Sequence, residues 1–295
     1  MPYASTATWK RFKPHLRGRI DDKTLYEPDS LYAKARTVRE RALRETSSRG
    51  GVLKRNARAV EHLQQHLTKK PEYLLAKLVL QAPGAAEAQR QMDKHHGGYK
   101  NREKRLFELI DFNDAFVDTV LALDTETLNG FTDRCRAEID TFCRECGIES
   151  FDDEQFDAIV HGLSREIAVY HGALELGYRV RMTSRVMDSK GVDMIVTDPE
   201  TKKSLNIDVK THSAFHFRLL DLQHQRRIDE QKRLDCELAG YCSITNGRNQ
   251  QAVDTMLLRV ATDRLGPIHH YRFVNTEEFS RLLRDAMKNE GRYIF

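Results

Sequence analysis

The sequence predicts an α+β or α/β protein: an all-α N-terminal region, then a mixed-sheet core of order α-β-β-β-α-β. Three observations predict it. Before about residue 178, apolar residues recur at helical spacing and no run looks like a strand. From Tyr178 onward, short runs rich in Val, Ile and Leu alternate with turn residues. The charge also divides the chain: residues 1–110 hold 24 Lys/Arg against 12 Asp/Glu, residues 111–165 hold 4 against 14, and residues 166–295 hold 20 against 18. The basic first third is the electrostatic footprint of a polyanion; a basic helical region, 1–149, that binds nucleic acid or a partner is expected before a core, 150–295.

Residues 1–27 read as a basic arm or an ordinary solvated terminus, with Lys10, Arg11, Lys13, Arg17 and Arg19. Asp29 or Ser30 caps a helix of about sixteen residues, whose basic side carries Lys34, Arg36, Arg39, Arg41 and Arg44. A second helix runs from Val52 to Thr68, with Leu53, Val60, Leu63 and Leu67 inward. Pro71 opens a third, since proline is favourable at the first helical position. Pro83-Gly84 is expected to break it, with a short helix to Lys94 and a loop at His95-His96-Gly97-Gly98. Asn101 to Leu123 is helical again. Asn129-Gly130 turns the chain into a helix carrying Cys135, Cys143 and Cys146. These three lie within about 80° of one another around the helix and form an apolar stripe with Ile139 and Phe142. Core packing is the expected role of such buried thiols; a metal site is the alternative.

The stretch from Gly162 to His212 organises the rest. Leu163 to Leu176 has helical periodicity and ends at Gly177, a C-cap glycine. Tyr178–Arg181, Val192–Val196 and Leu205–Val209 read as strands. Thr197 to Lys203 is a turn, so the last two strands form an antiparallel hairpin. Side chains two apart on a strand share a face, which groups Asp208 with Lys210 and lets the hairpin set Asp193 beside Asp208. Paired carboxylates repel, and burying them unpaired is costly. A divalent cation with oxygen ligands removes both problems. Glu166 supplies a helical acid; Glu175 is a rival, but lies too near the helix end to reach a strand centre. The bland alternative is a hairpin with solvated aspartates on its outer face.

The order Glu166, Gly177-Tyr178, Gly191-Val192-Asp193 and Ile207-Asp208-Val209-Lys210 resembles the PD-(D/E)XK nuclease superfamily, in its Holliday-junction-resolvase-like and RecB-like forms. The resemblance covers about fifty of the 295 residues. Val192 stands where the family motif has proline, and Asp208 where many members have glutamate. The resemblance implies phosphodiester hydrolysis with Mg²⁺ or Mn²⁺ on Asp193, Asp208 and Glu166, and with Lys210 as the fourth catalytic residue. It favours DNA as substrate, allows a homodimer, and raises an iron–sulfur cluster as the metal alternative for the cysteines. It also implies that the helix after the lysine strand, expected over Phe217–Leu238, offers Gln223 or Gln225 to the phosphates. His212 is a further candidate contact, or a plain turn histidine.

Beyond this core, strands are expected at Tyr241–Ile244 and Thr255–Val260, an edge strand at Arg272–Val274, and a closing helix at Thr276–Lys288. Five cysteines argue against a disulfide framework. No apolar run approaches the roughly 18 residues of a membrane span, and the N-terminus lacks the apolar core of a signal peptide. A cytoplasmic setting and no membrane partner are expected. No G-x-x-x-x-G-K-[ST] occurs, so no ATP-driven motor is expected here. A non-catalytic nucleic-acid-binding or assembly protein with a nuclease-like core stays open.

Overall fold

A computed structural model of the chain describes residues 30–66, 68–94, 102–246 and 253–293. The expected basic arm and the His95-His96 loop lie outside the described residues. The first half folds as α1 (Leu31–Glu45), α2 (Val52–Gln65), α3 (Pro71–Lys94), α4 (Arg102–Leu121), α5 (Thr125–Leu128) and α6 (Phe131–Glu145). Ser30 caps α1 by accepting a hydrogen bond from the Ala33 N–H.

The expected break at Pro83-Gly84 does not occur; α3 continues through both residues. Proline inside a helix removes one backbone hydrogen bond and costs roughly 3 kcal/mol. Helix α3 packs against α1, α2, α4 and α6. Its Leu75, Leu78, Leu80, Ala82, Ala85 and Ala86 are fully buried. Each buried leucine contributes about 1.5–3 kcal/mol, so burial outweighs the proline.

The second half opens with α7 (Asp153–Glu175), where Asp152 and Gln155 form a capping box. Then follow β1 (Arg179–Met182), α8 (Arg185–Asp188), β2 (Met194–Thr197) and β3 (Lys203–Lys210). The three strands form an antiparallel meander in which Met194 lies opposite Ile207. The Asp198 carboxylate holds the β2–β3 turn, accepting from the Glu200 and Thr201 N–H groups.

The expected long helix after Lys210 is two helices, α9 (His212–His224) and α10 (Glu230–Ala239). Arg226 takes a left-handed φ of 55°. The Arg227 N–H closes α9 onto Leu222 O, and Asp229 caps α10 by accepting from the Lys232 N–H. Next come β4 (Tyr241–Asn246), β5 (Val253–Arg259), α11 (Thr262–Leu265), β6 (Ile268–His269), β7 (Arg272–Phe273), α12 (Glu277–Glu290) and β8 (Arg292–Tyr293). The sheet order is β1-β2-β3-β5-β4, with β5 parallel to β3 and β8 paired to the start of β3. The expected edge strand at Arg272 instead pairs with β6 in a separate two-stranded ribbon.

Helix α7 belongs to two cores. Its Phe156, Leu163 and Ile167 pack into the helical bundle, together with Tyr271 from the ribbon. Its Ala168, Val169 and Ala173 pack on Met194, Ile207, Val209 and Phe279. Gly172 permits this: a Cβ there would lie 2.7 Å from the Phe279 ring. On the other sheet face, Phe215, Leu219 and Leu222 of α9 cover Ile244 and Leu257. The sheet is therefore layered between helices, an α+β arrangement.

Candidate active site

Hairpin register places the acids. The Asp193 N–H donates to Ile207 O at 2.8 Å. This ties Asp193, the residue before β2, to the Ile207 that Met194 already faces, and its carboxyl lies beside that of Asp208. Asp193 Oδ2 accepts from the Val209 N–H at 2.6 Å. Asp208 is 4 % exposed, and its Oδ1 is ion-paired with Lys210 Nζ. Helix α7 delivers Glu166. Glu166 and Asp193 line one cleft of about 150 Å³ together with Asp188 of α8 and with Asn113, Asp114 and Asp118 of α4.

Burial dominates the electrostatics. It is the largest cause raising the Glu166 carboxyl well above its ordinary range, with the Asp193 charge next. Burial, then Asp208, pushes Asp193 up to about 8 and Asp188 up to about 6. Burial also raises Asp208, against the opposing pull of Lys210. Asp114 is pushed up to about 7 by burial, then by Asp188, Asp118 and Asp111. Burial works against the Lys210 ammonium, but Asp208 and Asp193 outweigh it and hold its pKa up.

The donor set fits a hard divalent cation. It is all oxygen, its carboxyls outnumber the one ammonium beside them, and the buried acceptor Asn113 Oδ1 has no donor. Among the described residues, no three His, Cys, Asp or Glu side chains already converge as a metal site. Asp208 Oδ1 pairs with Lys210, and Asp193 Oδ2 accepts from the Val209 N–H.

Of the expected residues, Glu166, Asp193, Asp208 and Lys210 come together. Glu175 does not join them; it pairs with Arg272. His212 is the exposed first residue of α9. Gln223 and Gln225 lie at the far end of that helix, about 17 Å or more along its axis from His212 at 1.5 Å per residue, and Gln225 bonds Asp221. The fold does not bring either glutamine to the carboxylates. Arg218, one and a half turns into α9, is close enough to act on the Asp208 charge.

Sequence reasoning missed Asp114, Asp118 and Asp188. For the first two a signal existed: Asp111, Asp114 and Asp118 share one helix face at spacings of three and four, where like charges are unfavourable. The cysteine helix buries Cys135 and Cys143 in the bundle, where burial raises both thiols. Of the basic helices, Arg39 is buried on Glu138 at 2.6 Å, and Arg55 donates to Leu43 O. These cations tie the bundle together, while Lys34, Arg41, Arg44 and Lys54 stay exposed.

Comparison of the chain with protein-family models, with curated proteins and with solved structures finds no match.

Proposed function

We propose that this protein is a Mg²⁺- or Mn²⁺-dependent nuclease of the PD-(D/E)XK type, acting on DNA as an endonuclease. One observation carries the reading: Asp208 pairs with Lys210, the Asp193 and Glu166 charges act on the same ammonium, and Glu166 and Asp193 open to one cleft. The order helix, three-strand meander, helix, with the acid on the first helix, supports it.

Asp193 and Asp208 would hold the cation, with Glu166 on the cleft side. When bound, the cation neutralises these acids and lowers the pKa of a coordinated water. The chain's own groups do the rest. The Val209 N–H fixes the Asp193 carboxylate in orientation. Lys210 keeps its proton, because Asp208 and Asp193 favour the ammonium. From there its Nζ donates to a phosphate oxygen as charge develops, the position in which a fixed donor contributes most.

A second reading is a nucleic-acid-binding protein that keeps the core without hydrolysis. The present engagement of Asp208 and Asp193 with protein partners favours it. A cleavage panel separates the two. Supercoiled plasmid, labelled single- and double-stranded DNA, and RNA are incubated with the full chain in Mg²⁺, Mn²⁺ or EDTA. Metal-dependent cutting of DNA is expected, with a loss of about 10³-fold or more in Asp208→Ala and retained DNA binding. A wild-type protein that binds DNA but never cuts it with either metal would sink the nuclease reading.

A further inference from the structure

Arg165 is the neighbour of Glu166 on α7, and it faces a different cavity. Its side chain is 6 % exposed. Nε donates to Val260 O at 3.0 Å and Nη1 to His161 O at 2.6 Å. A guanidinium has five N–H donors, and among the described residues Nη2 has no protein partner. No carboxylate among them forms an ion pair with Arg165. A buried unpaired cation is costly, and burial alone accounts for the lowering of its pKa.

The cavity it lines measures about 390 Å³. Ser164 and His161 of α7, Thr132 and Asp133 of α6, and Tyr271 of the β6–β7 turn share its wall. The Ser164 hydroxyl donates to Val160 O at 2.6 Å, and Asp133 stays outside ion-pair distance. The turn is itself strained: His270 and Tyr271 have φ of 46° and 60°, a region that non-glycine side chains rarely adopt. The Tyr271 hydroxyl is held in place by Thr132 Oγ1 at 2.6 Å. Strain of this kind is maintained by surrounding structure and clusters at ligand sites.

The cavity also adjoins the acid cluster through the backbone. Val260, whose carbonyl takes the Arg165 bond, donates its own N–H to Lys210 O at 2.8 Å. Val260, which holds Arg165, therefore lies one residue beyond the end of the β3–β5 pairing, next to Lys210 at the close of β3. Arginine matches a phosphate through its planar fork.

We propose that this cavity is an anion subsite for a phosphate of the nucleic-acid backbone next to the one cut, with Arg165 as its charged donor. The assignment of the phosphate to nucleic acid rests on the nuclease reading of the neighbouring carboxylates; free phosphate shares the same chemistry.

The test uses the full chain in EDTA, so that binding is read without cleavage. Arg165→Lys keeps the charge and loses the fork. Ser164→Glu leaves both Arg165 backbone ties in place and supplies a carboxylate on the cavity wall. Inorganic phosphate should raise the melting temperature of the wild type and not that of Ser164→Glu. A short labelled duplex, titrated over a range of salt, should bind Ser164→Glu about tenfold more weakly, with a salt slope smaller by about one. Arg165→Lys should fall between the two. Equal duplex affinity and slope in wild type and a folded Ser164→Glu overturn the subsite. Stabilisation by phosphate with no duplex binding overturns the nucleic-acid assignment. A wild type that cuts DNA, with a Ser164→Glu that binds and cuts equally well, removes the subsite and leaves the nuclease. A wild type that binds the duplex through Arg165 but never cuts removes the nuclease and leaves the subsite.

Discussion

Arg165 and Glu166 are consecutive, yet they face cavities of opposite character. A helix turns about 100° per residue, and α7 lies between two cores, so adjacent side chains enter different environments. The Glu166 cleft collects carboxylates from α4, α7, α8 and the β2 entry. The Arg165 cavity holds a buried cation with no carboxylate paired to it. Phe116, Phe131 and Tyr271 form an aromatic cluster from the helices to the ribbon, with centroids 5.8 and 6.1 Å from Phe116. Each cavity carries charge that the protein leaves unbalanced. On the proposed function, one takes a cation and the other an anion, the two charges that a metal ion and a phosphodiester bring together.

The largest expected effect is on that aromatic cluster. Phe116 is fully buried. Phe116→Ala removes both ring contacts and leaves a void, at a cost of about 3–5 kcal/mol. Denaturant unfolding measures it, and Phe116→Leu should restore most of the loss. A cost below about 0.5 kcal/mol, the range of a surface change, would mean that Phe116 is not held in a packed cluster.

The next effect concerns the acid cleft. Glu166, Asp193, Asp188 and Asp114 have folded-state pKa values raised above those of the unfolded chain. Between about pH 4 and about pH 8 the folded state therefore holds protons that the unfolded chain has released. The window is set by Asp188 at about 6, Asp114 at about 7 and Asp193 at about 8. Stability of the metal-free protein is thus expected to fall as pH rises through that window. Mn²⁺ at a hundred times its Kd should add about 2.7 kcal/mol, and more at the alkaline end, where the ligands are deprotonated. Thermal melts in EDTA and in Mn²⁺ across this range check both statements. A flat profile in EDTA, unchanged by Mn²⁺, breaks the contrast between the cavities.

What was legible in the sequence followed from local rules. Asp193, Asp208 and Lys210 were found because strand alternation and one tight turn set a hairpin register. Glu166 was found because a helix and its Gly177 cap are local as well. The remainder depends on tertiary packing. Asp114 enters the cleft only because α4 packs against α8, a contact with no local signature. The proline in α3 was overruled by burial on several sides. The break between α9 and α10 contains no glycine or proline; Arg226 makes it by adopting a left-handed φ, and Asp229 as a cap was the available hint. The ribbon was missed as a separate element because its turn places His270 and Tyr271 where Gly or Asn is usual.

The smallest expected effect tests whether the outer wall of the acid cleft contributes charge rather than shape. Asp114 faces Asp188 and Asp118, and burial is the largest cause of its raised pKa. Asp114→Asn keeps the volume and removes the charge. In EDTA near pH 8 it should stabilise the protein by up to about 1 kcal/mol, allowing for its partial access to solvent. The gain should shrink as pH falls and vanish only below about pH 4, where the unfolded carboxyl is protonated too. Phosphate stabilisation at Arg165 should stay as in the wild type, because Asp114 lines the acid cleft and not the Arg165 cavity. A variant that melts lower than wild type near pH 8 would show that Asp114 is held by a favourable partner, and that crowded like charge is not what sets the cleft apart.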